Sequence, residues 1–191
     1  MLKDKAHSSD TAVAALVAKT GFGESAKGGG VFRVQCFDKD GVLKWEDQMH
    51  NLVVNQGLQD MNTRYFSGSG YTAAFFLGLV TGPGSGTTYA AADTLASKAW
   101  TEFTNYSGSR KAVTFGTATT ADPSVISNSA SPSSFTITGA GGTVAGAFLC
   151  TVASGTSGVL FSEADFQAPG DRVVVATDTL NVTYTFSLDA A

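Results

Sequence analysis

The chain has 191 residues, enough for one domain with its own core, with or without a short appendage. Only 15% of the residues are charged and the formal net charge is −4, which argues against a strongly basic nucleic-acid surface. The longest apolar runs, at 12–18 and 73–80, are too short to span a bilayer, and no signal-cleavage pattern follows the Ala-rich start. A protein made in the cytoplasm, without membrane or nucleic-acid partner, is therefore expected. Charge is uneven: residues 1–111 hold 11 Lys and Arg against 10 Asp and Glu, whereas 112–191 hold only Arg172 against six acids.

Residues 1–30 read as an extended N-terminal arm. Asp10 is placed to cap a short helix over 11–19, in which Val13, Leu16 and Val17 make one stripe and Gly21 follows the end. So short a helix is marginal alone in water, and residues 21–30, GFGESAKGGG, have the composition of a tether. Val13, Leu16, Val17 and Phe22 are accordingly the candidate partner-binding residues, since ordering the arm requires a surface to bury them against. An arm folded back on its own domain, or left disordered, is the alternative.

The body, 31–191, reads as β. Residues 31–46, VFRVQCFDKDGVLKWE, predict a hairpin turning at Asp38-Lys39-Asp40-Gly41; the D-x-D-G run lacks the further ligands of a calcium loop. A short helix follows over 56–65, with Leu58, Met61, Asn62 and Tyr65 at helical spacing. Residues 71–80 predict a buried central strand and 81–94 an exposed glycine-rich excursion. Short strands are then expected over 99–106, 111–115, 125–126, 135–138, 143–152 and 159–166, a spacing that suits a sandwich or jelly-roll. From Leu180 the chain alternates without fault, placing Leu180, Val182, Tyr184, Phe186 and Leu188 on one side. With 173–176 before it and Thr177-Asp178-Thr179 between, a C-terminal hairpin is predicted. The expected fold class is mainly β: an antiparallel β-sandwich or jelly-roll with one short internal helix and the N-terminal arm.

No catalytic constellation is legible, and no enzymatic role, cofactor or metal is expected. His7 lies in the arm and His50 at a strand end, neither in the context of a triad, and no G-x-S-x-G elbow occurs. The pairs Glu163 with Asp165 and Asp38 with Asp40 read as solvated positions. Cys36 and Cys150 sit in strand-like runs and read as free buried thiols. GFGESA at 21–26 fits a dinucleotide fingerprint in letters but not in context. Trp45, Trp100 and Tyr106 read as core or interface; a sugar platform would require Trp100, Tyr106 or Tyr89 exposed together.

A set of runs carries a resemblance: NLVVNQGL at 51–58, FLGLVTG at 76–82, ADTLA at 92–96, WTE at 100–102, Arg110, SNSA at 127–130, FTIT at 135–138, GAFL at 146–149, LFS at 160–162 and DTLNVTYTFSL at 178–188. Over roughly 31–188 the chain resembles a family of virion structural proteins of tailed bacteriophages. The resemblance implies a virion component, most like a capsid cement or decoration protein. Such a protein binds the major capsid protein on the outside of the head, as a dimer or trimer, with an arm reaching across neighbours. A tail or fibre-base module and a carbohydrate-binding adhesin module are the alternatives.

Overall fold

In the computed structural model, which describes residues 26–67, 74–82, 89–166 and 170–190, the body is a two-sheet antiparallel β-sandwich. The candidate arm residues Val13, Leu16, Val17 and Phe22 lie outside the described residues. In chain order the elements are β1 (Ala26–Phe37), β2 (Leu43–His50), β3 (Leu52–Val53), α1 (Asn55–Phe66), β4 (Phe76–Thr81), β5 (Glu102–Phe103) and β6 (Lys111–Ala112). They continue with β7 (Ser124–Ser127), β8 (Ser133–Thr136), β9 (Gly142–Cys150), β10 (Leu160–Asp165), β11 (Arg172–Val174) and β12 (Thr179–Ala190).

The first sheet runs β2-β1-β12, with β7 and β8 end to end along the far edge of β12. Alternation in β12 does what it predicts: Leu180, Val182 and Tyr184 are fully buried and Phe186 is 8% exposed, while Asn181, Thr183, Thr185 and Ser187 face outward. Burying those four contributes roughly 1.5–3 kcal/mol each, an upper bound. Leu188, the expected fifth member, is instead 40% exposed, because the strand there runs past the end of the core. β1 pairs β12 over its whole length, from Ala26 with Ala190 to Phe37 with Thr179. The strand thus begins at Ala26 rather than 31, and the last residues of the expected tether, Lys27 to Gly30, are strand.

The second sheet runs β3-β10-β9-β4-β5, with β11 beside β9 and β6 beside β4. The expected C-terminal hairpin is not there. β11 pairs β9 in the second sheet, and β12 belongs to the first. The link at 175–178 is therefore a crossing between sheets, and of the expected strand at 173–176 only Val174 is buried; Val173 and Val175 are 67% and 50% exposed. The β1–β2 hairpin forms as expected, closed at Asp38–Val42 by backbone hydrogen bonds.

Between the sheets lies the main core, in which Phe32, Met49, Phe135, Leu180 and Tyr184 of the first sheet meet Leu77, Leu79, Leu149 and Phe161 of the second. The Tyr184 hydroxyl is satisfied there by Asn51 at 2.9 Å and Ser162 at 3.2 Å. Helix α1 docks on β10 through Gly57, where a Cβ would overlap the Phe161 carbonyl. Met61 packs on the core, but Leu58 and Tyr65 of the expected stripe are 44% and 82% exposed, and Phe66 beside them is 79% exposed.

The second sheet carries another layer on its far side. Val54, Val80, Leu95, Trp100, Ala145, Phe148, Cys150 and Leu160 form a separate buried cluster. Gly78 makes room for it, since a side chain there would run into the Phe148 ring. Arg110, 6% exposed, lies over Phe148 at 5.2 Å and grips Glu102 through two hydrogen bonds of 2.9 and 2.7 Å.

Candidate functional site

Trp100 and Tyr106 are each 6% exposed, and the Tyr89 hydroxyl is buried, so the aromatic residues that a sugar platform would need do not share an exposed face. Trp100 instead stacks among Tyr89 and Phe148, at ring separations of 6.4 and 4.8 Å. Cys36 and Cys150 are free and buried. Burial, helped by the nearby Asp178 carboxylate, pushes the Cys36 thiol up to about 12, so little reactive thiolate forms at neutral pH. His50 ends β2 in an exposed position. Among the described residues no group of three or more His, Cys, Asp and Glu side chains is placed to hold a metal ion.

Glu163 corrects the sequence reading. It is fully buried, and its Oε2 accepts a 2.7 Å hydrogen bond from the Trp100 indole. Alternation along β10 does point it away from the main core, but that face is roofed by the layer around Trp100. Burial, with the Asp93 carboxyl nearby as a smaller contribution, pushes its pKa up to about 8 despite the indole donor. A neutral carboxyl holding a loop to a sheet is thus the resting state near pH 7. Nothing there resembles an acid and base set across a cleft, as glycoside hydrolysis requires.

An open concavity lies elsewhere, where two turns meet at one end of the first sheet. It offers about 340 Å³, broadly open to solvent, and is lined by Phe37, Asp38, Lys39 and Gly41 from the end of β1 and its turn and by Thr177, Thr179 and Asn181 from the facing turn and the start of β12. Each turn is built rigidly. Asp38 Oδ1 accepts the amides of Asp40 and Val42, both at 2.9 Å, and those amides hold its carboxyl below the usual range. This explains the D-x-D-G run as turn chemistry, as expected from sequence. In the facing turn, Asp178 Oδ2 accepts the Val175 amide at 2.9 Å, and the Asp178 amide donates to the Val175 carbonyl at 3.1 Å. Asp178 is only 2% exposed, yet Lys44 reaches it at 2.6 Å and so ties the two turns together.

Backbone geometry is unusual on both walls. Thr177 has φ 75°, and among the described residues it is the one non-glycine with positive φ. A left-handed β-branched residue costs about 1–2 kcal/mol. Opposite it, the β1–β2 register breaks between Cys36 and Phe37, whereas the other pairings of this sheet run unbroken. No motif in the sequence marks this place, because its parts are 140 residues apart and come together only in the fold, through the Phe37–Thr179 pairing and the Lys44–Asp178 ion pair. The single local signal is the Asp-Gly turn. Compared with known protein families, with curated proteins and with solved structures, the chain matches none.

Proposed function

We propose that the chain is a non-enzymatic structural protein of a tailed-bacteriophage virion, a capsid cement protein that binds the major capsid protein on the outside of the head and steadies contacts between its subunits. The reading starts from the resemblance over 31–188. The observation that carries it further is the junction at Ala26. β12 is flanked along its length by β1 on one side and by β7 and β8 on the other, so both of its edges are paired within residues 26–190. The preceding segment, with its apolar stripe, is joined at the end of the sheet where Leu188 is already exposed. In this reading the segment lies against a neighbouring subunit, and many such contacts on a lattice resist pressure although each is weak. Tyr65 and Phe66, packed edge to face at 4.9 Å and largely in water, offer a second apolar contact to a neighbour.

The test uses capsids, stripped of this protein, from the phage that carries it. Adding the full chain raises their disruption temperature, and adding a chain that begins at Ala26 does not. The cut belongs before Ala26 rather than after Gly30, because removing 26–30 would strip pairing from β12 and confuse docking with folding. Equal protection by both chains overturns the role of the leader. Immunogold labelling confined to the tail overturns the head assignment in favour of a tail or fibre-base module.

A further inference from the structure

We propose that the concavity between the β1–β2 turn and the 175–178 turn is a binding subsite for one neutral hexopyranose ring, independent of capsid docking. Three observations converge on it. The volume, about 340 Å³, is at the low end for small-molecule sites and suits a single ring better than an extended ligand. The walls are fixed before any ligand arrives, by the Asp38 carboxylate closing its own turn and by Lys44 clamping Asp178 across the gap. Preorganisation of this kind removes the ordering cost that weakens binding to loops. Two local irregularities also meet here: the β-bulge that makes Lys44 of β2 the extra residue opposite Cys36 and Phe37, and the left-handed Thr177.

The lining selects the ligand class. Phe37 offers an aromatic ring in contact with the concavity; Thr177 and Thr179 offer hydroxyls, Asn181 a carboxamide and Asp38 an ionised acceptor. Mixed donors and acceptors around one apolar surface match a ring that carries hydroxyls on its rim and C–H groups on its face. The charges argue against an anion. Lys39 is paired with Asp40 at 2.7 Å and Lys44 with Asp178 at 2.6 Å, and Asp38 adds a negative charge, so phosphate or a sialic acid would meet no excess of positive charge.

Placement adds a reason for such a site. β1 runs from Ala26, where the leader joins, to Phe37, and the eleven steps between the ends of this twelve-residue strand, at about 3.3 Å each, put the concavity some 36 Å from the junction. A body held by its leader would present the concavity away from what holds it, although the site itself does not rest on that reading.

The experiment is an amide NMR titration of the full chain with the methyl glycosides of glucose, galactose, mannose and N-acetylglucosamine, each to about 50 mM, since single-ring affinities fall near millimolar. At least one glycoside is expected to give saturable shifts confined to residues 37–41 and 177–181. Asn181→Ala, on the outward polar face of β12, is expected to weaken that binding at least about tenfold while leaving the remaining spectrum in place. Titration of the matching oligosaccharide separates the sources: unchanged affinity assigns a lone ring or chain end, and a large gain assigns a polysaccharide running past the turns. Absence of saturable shifts, shifts centred elsewhere, or unchanged affinity in Asn181→Ala overturns the proposal. None of these outcomes bears on capsid addition, which is read separately.

Discussion

The two sheets of this sandwich bury their residues differently, and the difference decides where each keeps its polar groups. In the first sheet one face meets the core and the other meets water, so β12 alternates buried and half-buried positions. In the second, β9 is buried at every position from Val144 to Cys150 and β10 from Leu160 to Ala164, because the layer around Trp100 covers the outer face. A sheet with one wet face can display polar chemistry; a sheet covered on both faces stores its polar groups inside. The concavity beside Phe37 belongs to the first kind and the buried Glu163 to the second.

Removing the roof is the strongest way to break this contrast. Trp100→Ala deletes the ring between Tyr89 and Phe148 and leaves Glu163 without its indole donor. A loss of about 3–5 kcal/mol is expected in urea unfolding. Hydrogen exchange tells whether the layer is a unit of its own: protection should fall around 89–112 while β1 and β12 keep theirs. A uniform fall would mean that roof and sandwich open together.

Acidity gives the next test. The folded-state pKa of Glu163 is raised from 4.5 to about 8, so the folded chain binds more protons than the unfolded one between those values. Its contribution is complete below about pH 4.5 and is lost as pH rises through about 8. Asp165, raised from 3.8 to about 6 by burial and by the Asp171 charge, acts with the same sign at lower pH. Between pH 6 and 8 the slope therefore belongs mainly to Glu163, with a fall on the order of 2 kcal/mol. Glu163→Gln keeps an acceptor for Trp100 and should flatten that window in urea midpoints measured at each pH. An unchanged slope would assign the proton elsewhere.

The same contrast governs what could be read from the sequence. β12 and the β1–β2 hairpin were legible, since a period of two and an Asp-Gly turn are local signals that a half-wet sheet preserves. Helix α1 was legible in extent, yet its outward residues were not: Gly57, rather than the Leu58 stripe, is the docking surface, and only the approach of the Phe161 carbonyl reveals it. Glu163 was misread as solvated although its direction was right, because no pattern within β10 announces that a loop some 60 residues earlier in the chain will cover it. The run 173–188 failed for a related reason. A short polar link between two apolar strands satisfies the rules for a hairpin and equally those for a crossing between sheets, and the partner of β11 is set by β9, thirty residues upstream.

That crossing carries the smallest predicted effect and the most specific one. Thr177 occupies the third position of the turn closed by the Asp178 amide on the Val175 carbonyl, with φ 75°, where glycine is favoured. Thr177→Gly relieves about 1–2 kcal/mol of steric cost and adds about 0.5–1 kcal/mol of unfolded-chain entropy, for an expected net gain of about 0.5–1 kcal/mol in urea unfolding. Thr177→Ala keeps a Cβ in the left-handed region and should show no such gain. If the strain is kept because the hydroxyl lines a ligand site, the more stable Thr177→Gly chain will bind the methyl glycoside more weakly than the parent. A chain that gains stability and keeps its affinity would instead make Thr177 a tolerated misfit of the crossing between the two sheets.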